Sequence, residues 1–292
     1  MSAQPRRILL QTTIPTTEDD WSIARFSQLG ALLRAAADDT GRALYDVTMR
    51  DRATASGPDP VLSRIAESDF DQLWLFAVDT GDGLSPEDCA SISRFRASGR
   101  GLLVTRDHMD LGSSVCSLGG LGSAHHFHSR NIHPDPAQRR IDDPFTTYIS
   151  WPNFHSGANG DYQEIEVVGS PHPILADGAS PTGSIRFLPA HPHEGGIDAP
   201  AGQGARVIAR GRSSTTGSPF NIAVAFEPGE HGGPGVAQST FHHFADYNWD
   251  TRAGSPSFVD EPPGDAMQRV PAALADTHRY ALNIAAWFAA SR

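Results

Sequence analysis

Four short apolar runs alternate with segments of helical spacing over the first 105 residues. The runs are 7–13 (RILLQTT), 43–49, 72–78 (QLWLFAV) and 101–105 (GLLVT). Runs of this length bounded by turn residues are typical of buried strands. Strands that alternate with helices form a parallel sheet covered on both faces, because each crossover connection runs through a helix. The sequence therefore predicts an α/β fold with a parallel-core sheet flanked by helices.

The helices between these strands leave clear signals. Residues 21–38 keep apolar side chains at helical spacing, and a short helix is predicted at 60–67. The stretch 85–88 (SPED) offers a hydroxyl cap, a proline at the first helical position and acids in the first turn of a helix that ends near residue 97. Later strands, partly antiparallel, and a closing helix are predicted at 164–168, 184–188, 205–209, 222–226, 235–241 and 272–290. We expect one domain over residues 1–292.

Composition excludes several classes of function. All 23 basic residues are arginine, so the chain has no lysine for a Schiff base or a phosphate-binding P-loop. The formal net charge of −11 argues against nucleic acid or an anionic membrane as the main partner. No stretch has the length of a signal peptide's apolar region or of a membrane span, so we expect a cytoplasmic protein.

Two cysteines occur, and they do not form a CxxC pair. Cys89 falls in the predicted helix that starts at residue 86, where a small core residue is expected. Cys116 lies in a Gly/Ser-rich loop next to several histidines, so both an inert and a reactive role remain open.

Histidines and acids concentrate after predicted strands. Asp107 and His108 follow the fourth strand, and His242, His243 and Asp246 follow the last one. Ligands of open parallel sheets bind outside the carboxyl ends of the strands, so these loops should meet at one pocket. We assign all five residues to acid–base catalysis, with Asp107 or Asp246 orienting a histidine. The alternatives are a polar loop that caps a helix and a structural His–Asp network.

Polar and aromatic residues close to these loops are candidates for substrate binding. Asn248 and Trp249 belong to the dense run FHHFADYNWD, Arg106 ends the fourth strand, and His155 lies in WPNFHSGANGD. Aromatic faces edged by amide and carboxylate groups suit hydroxyl-rich ligands. We therefore assign these four residues to binding a polar, carbohydrate-like small molecule.

A His-rich insertion at about 109–162 contains the run AHHFH. His126 and His128 share a face if the run is a strand, and with a third ligand such as His108 or His243 they could hold zinc or iron. The alternative is a solvated loop. Three further histidines in Pro-rich loops are interpreted as structural: His172, His191 and His193.

The order of these pieces resembles the trehalose-utilization (ThuA-like) branch of the class I glutamine amidotransferase-like superfamily. The matching segments lie within about 70–290 and are LWLFAVDTGDGLSPEDCASISRFRASGRGLLVTRDH, YQEIEVVGSPHPILADG, GVAQSTFHHF and RYALNIAAWFA. The resemblance implies a flavodoxin-like fold and a loose tie to sugar metabolism. True amidotransferases have a cysteine in a GxCxG elbow after the strand that corresponds to 101–105 here, and an HxE motif later in the chain. This chain has RDHMD there and no HxE after the last strand, so the resemblance implies that glutaminase activity is lost.

Three functions follow from these observations. The first is a small-molecule enzyme that acts on a carbohydrate-like substrate by His/Asp acid–base chemistry. The second is a metal-dependent hydrolase or lyase that uses the His cluster. The third is a non-catalytic, ligand-binding amidotransferase-like domain. A homo-oligomer is compatible with each, since nothing in the sequence specifies the oligomeric state.

Overall fold

A computed structural model describes residues 4–18 and 21–291. Its strands are β1 (Arg6–Thr12), β2 (Tyr45–Arg50), β3 (Gln72–Phe76), β4 (Gly101–Val104), β5 (His125–His126), β6 (Tyr162–Glu164), β7 (Glu166–Val167), β8 (Phe187–Pro189), β9 (Gly196–Ile197), β10 (Ala205–Arg212), β11 (Pro219–Phe226) and β12 (Gly235–Gln238). Its α-helices are α1 (Ser27–Ala35), α2 (Pro86–Ala97), α3 (Asp246–Trp249), α4 (Ala266–Arg269) and α5 (Pro271–Ala290). Short 3₁₀ turns lie between them at Ile23–Phe26, Leu62–Glu67, Ser113–Leu118, Gly122–Ala124, Pro136–Gln138, Pro173–Leu175, Phe241–Phe244 and Thr251–Ala253.

Eight strands form the main sheet, in the order β2-β1-β3-β4-β12-β11-β10-β7. In this order the first five strands, β2, β1, β3, β4 and β12, pair in parallel. The remaining pairs, β12–β11, β11–β10 and β10–β7, are antiparallel. The order 2-1-3-4 is that of flavodoxin-like folds, with β12 as the fifth parallel strand. The predicted α/β, flavodoxin-like sheet with a parallel core and extra antiparallel strands is confirmed.

The apolar runs of the central strands are continuous because the sheet is covered on both faces. In β1, Ile8 and Leu10 pack into one core with α1 and α5, and Leu9 packs into the other core with α2. Trp74 and Leu75 of β3 divide between the two cores in the same way. Successive side chains of a strand point to opposite faces, so a strand that is buried on both faces needs apolar residues at successive positions.

Helix α2 begins where the sequence predicts. The Ser85 hydroxyl accepts a hydrogen bond from the Asp88 amide at 3.1 Å, and the Asp88 carboxylate accepts one from the Ser85 amide at 3.0 Å. This reciprocal capping satisfies two amides that have no partner inside the helix. Asp88 also pairs at 2.8 Å with Arg52, which is buried as well.

Several predicted boundaries are wrong. The helix predicted over 21–38 is a 3₁₀ turn followed by the shorter α1, and the strand predicted over 164–168 is split into β6 and β7. The strand predicted to reach residue 241 ends at Gln238, because the Thr240 side chain accepts from the His242 amide and begins a 3₁₀ turn.

Residues 109–162 lie mostly in irregular structure, held by a buried arginine. The Arg106 guanidinium donates to the carbonyls of Asp107, Met109, His126 and Gly196 and lies 4.0 Å above the Phe127 ring. These bonds tie the end of β4 to the small β5–β9 sheet. Within the described ranges, no helix has the length and hydropathy needed to cross a membrane.

Candidate active site

A cavity of about 340 Å³ opens at the carboxyl ends of the parallel strands. Ile14 follows β1, Val78 follows β3, Asp107 follows β4 and Phe241 follows β12, and all four line the cavity. The remaining lining residues come from the irregular segments: Thr17, Trp21, His108, Leu111, Thr146, Tyr148, Ile149, Asn159, His191, His193, His242, Phe258, Val259, Asp260 and Glu261. The cavity lies where ligands of parallel sheets bind.

Three imidazoles surround one buried carboxylate at the bottom of this cavity. His108 Nδ1 lies 3.1 Å and His242 Nε2 lies 3.6 Å from Asp107 Oδ2, and His191 Nε2 lies 3.3 Å from Asp107 Oδ1. The Thr240 hydroxyl donates to Oδ1 at 3.3 Å. We call Asp107, His108, His191 and His242 the Asp107 cluster.

Burial and mutual contact set the charges in the Asp107 cluster. Burial alone would raise the pKa of Asp107, but His108 and His242 outweigh it and hold this pKa well below the usual value. Burial, and then the neighbouring His242, lowers the pKa of His191 far below the usual value. Burial also lowers the pKa of His242, against the opposing effect of Asp107. Near neutral pH the cluster therefore combines an ionised carboxylate with neutral rings at His191 and His242.

A chain of hydrogen bonds fixes the tautomer of His191. The Ala190 carbonyl can only accept, so the Asn248 atom 3.1 Å from it is the amide nitrogen. The same nitrogen donates to Asn159 Oδ1 at 2.8 Å, and His191 Nδ1 lies 2.9 Å from that oxygen. Because Asn159 Oδ1 is an acceptor, His191 Nδ1 carries the proton. A neutral His191 then turns a bare Nε2 lone pair toward Asp107.

A second group of polar side chains lies next to the Asp107 cluster in the cavity. His193 Nε2 lies 2.6 Å from Glu261 Oε1, and His193 Nδ1 lies 3.3 Å from Asn153 Oδ1 and 3.6 Å from Asp143. The Thr146 hydroxyl also donates to Glu261. Burial raises the pKa of Glu261, but contacts with His193 and Thr146 outweigh it and lower the pKa below the usual value. The His193 ring centroid lies 5.1 Å from that of His108, so the two groups can reach one ligand.

The predicted catalytic residues fall into two sets. Asp107, His108 and His242 line the cavity as expected. His243 and Asp246 do not. His243 is buried against Glu194, 3.1 Å away, and the Asp246 carboxylate accepts from the Ser27 and Gln28 amides at the start of α1. Their contacts are those of the structural alternative.

The four predicted substrate-binding residues lie outside the cavity lining. Arg106 is fully buried, and its guanidinium donates hydrogen bonds to backbone carbonyl oxygens. Trp249 Nε1 donates to the His243 carbonyl at 2.9 Å, and His155 Nδ1 lies 3.1 Å from the Ser214 hydroxyl. Asn248 lies behind the Asp107 cluster and orients His191 through Asn159. A substrate in the cavity therefore meets none of the four directly.

The predicted metal-ligand residues His126 and His128 contact different groups. His126 Nδ1 donates to the Asn131 carbonyl at 2.7 Å, whereas His128 Nδ1 lies 3.1 Å from the Ser150 hydroxyl and its ring packs on Trp151. The two rings thus have separate partners. In the described part of the chain, the groups with metal-ligand spacing are Asp107, His108 and His191, and Asp143, His193 and Glu261.

Sequence reasoning missed His191, His193 and Glu261. His191 and His193 belong to the segment HPHE, which begins two residues after the end of β8. Strand β8 belongs to the two-stranded antiparallel β6–β8 sheet, so the carboxyl-end rule for parallel strands does not apply to it. The proline-rich surroundings suggested a structural loop instead. Cys116 does not line the cavity, and burial raises the pKa of its thiol, which disfavours a reactive thiolate.

No protein-family model matches the chain, and no curated protein matches it significantly. Several solved structures are similar to this chain at low sequence identity and with TM-scores below 0.5. The glutaminase domain of Trypanosoma brucei CTPS with bound acivicin is 14% identical with a TM-score of 0.49, covering 98% of this chain and 94% of that one. The mmIFT52 N-terminal domain is 12% identical with a TM-score of 0.48, covering 87% and 99%.

Agd3, a carbohydrate deacetylase, is 13% identical with a TM-score of 0.41. The match covers 85% of this chain but 32% of Agd3, so the present chain spans about a third of that protein.

Proposed function

We propose that this chain is a small-molecule enzyme of hydrolase or lyase type that acts on a polar substrate in the cavity. The observation that carries this proposal is the Asp107 carboxylate, which faces three imidazoles at the bottom of one cavity. Histidines oriented by carboxylates are the usual agents of proton transfer in enzymes. The residues after β4 are Asp107 and His108 rather than a cysteine, which supports chemistry other than glutaminase.

Two adjacent groups of side chains in the cavity would have different roles in the reaction. The Asp107 cluster would bind and polarise the reacting group of the substrate. His193 and Glu261, which contact each other at 2.6 Å, would accept or deliver a proton. His108 lies between the two groups and is part-exposed, so it is the member of the Asp107 cluster most open to a ligand.

The rim of the cavity supports a carbohydrate-like substrate. Tyr148 and Phe258 line the cavity and are exposed, and aromatic faces of this kind stack on sugar rings. The wall favours a second candidate, an ester or amide with an apolar body, because the side chains of Val78, Leu111 and Phe241 carry no polar groups. Both candidates place a polar reacting group on the Asp107 cluster.

Activity should be sought with acetylated sugars, glycosides, sugar acids and aryl esters, using the full chain. We expect His108→Ala to lower kcat/KM at least about 100-fold on any substrate found, which is the usual weight of a proton-transferring histidine. His128→Ala is the matched control and should retain activity, since His128 lies outside the cavity lining. A wild type that turns over nothing, yet is stabilised by a sugar, would establish the non-catalytic ligand-binding alternative.

A further inference from the structure

We propose that Asp107, His108 and His191 bind one divalent transition-metal ion, zinc or ferrous iron, at the bottom of the cavity. This inference deepens the proposed function, because it names what makes the Asp107 cluster able to polarise a substrate. Two histidines and one carboxylate are a common ligand set for both metals.

The strongest support is an unpartnered nitrogen. His191 is 2% exposed, and its Nε2 has no hydrogen bond to any described residue although Asp107 Oδ1 lies 3.3 Å away. The Asn159 oxygen accepts from Nδ1, so Nε2 is the ring nitrogen that faces Asp107. Two buried polar atoms that face each other without a hydrogen bond are costly, and a cation held between them satisfies both.

The spacing of the ligand atoms fits an ion of this size. Ligands about 2.0–2.1 Å from a tetrahedral zinc ion are about 3.3 Å from one another. The distances from Asp107 to His191 Nε2 and His108 Nδ1 are 3.3 and 3.1 Å, and one atom from each of the three residues lies within 4.8 Å of the others. His108 Nδ1, like His191 Nε2, has no hydrogen bond among the described residues.

The surroundings of these ligands are those of a prepared site. A metal-bound histidine usually donates its other ring N–H to a carbonyl, amide or carboxylate, which fixes the tautomer and the ring orientation. His191 has this arrangement with Asn159, and Asn159 is held by Asn248. The Thr240 hydroxyl donates to Asp107, which orients the carboxylate.

Three protein ligands would leave a position for the substrate. All three line the cavity, so that position faces the space in which a substrate binds. A bound ion supplies Lewis acidity there, and the His193–Glu261 pair remains available for proton transfer.

The test is metal binding by the full chain, purified without a His tag and stripped with chelator. Zn²⁺ titration followed by calorimetry, and visible absorption after loading with Co²⁺, report the stoichiometry and the ligand set without any assay of activity. We expect one ion per wild-type chain, and at least a tenfold weaker affinity in His108→Ala and in His191→Ala. His128→Ala and His126→Ala, at the ligand pair predicted from sequence, should bind like wild type.

The outcomes separate this inference from the proposed function. Lack of binding by the folded wild type, or unchanged affinity in both His108→Ala and His191→Ala, overturns the metal site. Activity of the metal-free chain would then still support the enzyme. One ion per chain without turnover of any substrate supports the site and counts against the enzyme. Circular dichroism of each variant checks the fold, and His108 is part-exposed, so His108→Ala remains informative if His191→Ala does not fold.

Discussion

The imidazole rings of His191 and His242 stack face to face, with their centroids 3.3 Å apart and their planes inclined by 14°. Both rings turn Nε2 toward the Asp107 carboxylate, and both have Nδ1 beside an asparagine oxygen. For His191, the asparagine oxygen holds the ring proton away from the carboxylate, whereas His242 Nδ1 also lies 2.7 Å from the Tyr247 hydroxyl, which can donate to it. The orientation of His191 leads to the first prediction.

Replacing Asn159 with leucine removes the acceptor for the His191 Nδ1 proton at similar side-chain size. We expect Zn²⁺ affinity to fall about 10- to 100-fold, the usual effect of losing a hydrogen bond to a metal-bound histidine. Calorimetric titration measures the change. Asn283→Ala is the control, because Asn283 binds only the carbonyls of Ile174 and Ala176. Equal affinities in Asn159→Leu and wild type would show that His191 needs no such orientation.

Asp246, predicted from sequence to be catalytic, should prove to be structural. Its carboxylate accepts from the Ser27 amide at 3.0 Å, the Ser27 hydroxyl at 2.6 Å and the Gln28 amide at 2.9 Å. Asp246→Ala should lower the free energy of unfolding by about 1–2 kcal/mol, as for a lost helix cap, and should leave Zn²⁺ affinity unchanged. Urea unfolding and calorimetry give the two values. Asp69→Ala, at an exposed residue, is the stability control. Loss of metal binding by a folded Asp246→Ala would return this residue to the site.

The buried pair Glu194–His243 should contribute strongly to stability. Glu194 is fully buried, and burial raises its pKa, but His243, Ser239 and Gln163 outweigh this effect and keep the pKa below the usual value. Glu194→Ala removes the carboxylate beside His243 Nε2 and the acceptor of the Ser239 hydroxyl, and breaking a buried pair in this way costs about 3–5 kcal/mol. Urea unfolding should show this loss, whereas Glu230→Ala, at an exposed residue, should change little. A loss below about 1 kcal/mol in Glu194→Ala would contradict this account.

Stability should fall as the pH is lowered from 7 to 5. Burial, and then Arg106, holds the pKa of His125 well below its usual value of 6.5, so the folded chain leaves this ring neutral while the unfolded chain protonates it. The unfolded state then binds more protons, and the free energy of unfolding rises with pH in this range. His125→Leu should flatten the dependence by up to about 1.4 kcal/mol per pH unit.

The matched control for this measurement is Phe127→Leu, which alters packing beside Arg106 without removing a titratable group. Urea midpoints at several pH values between 5 and 7 give the slope for each variant. Carboxylates with lowered pKa values, such as Glu194, lose their contribution to stability only below pH 5. The change in stability between pH 5 and 7 therefore comes from histidines. An unchanged slope in His125→Leu would show that this ring titrates alike in both states.

The sequence predicts the parallel core well, because local signals and tertiary structure agree there. The run QLWLFAV can only be buried, and the cap at Ser85 places the start of α2 to the residue. The start of α1 and the split between β6 and β7 depend on contacts with distant residues. Asp246 caps α1 from 219 positions away, and no local pattern contains that bond.

The site divides in the same way. Asp107, His108 and His242 follow strands that the sequence marks clearly, so the carboxyl-end rule finds them. His191 and Glu261 reach the cavity from irregular segments, and only the fold brings them there. The run AHHFH suggested chelation by its density, and in the structure His126 and His128 contact separate partners.

The orientation of His191 originates in the polypeptide backbone. The Ala190 carbonyl fixes the amide of Asn248, which fixes Asn159 and then the imidazole. No substitution at position 190 other than one that moves the backbone can erase that oxygen. The path of the backbone at Ala190 therefore sets the direction of all three hydrogen bonds. The His191 ring can keep its proton on Nδ1 when the side chain at position 190 is substituted.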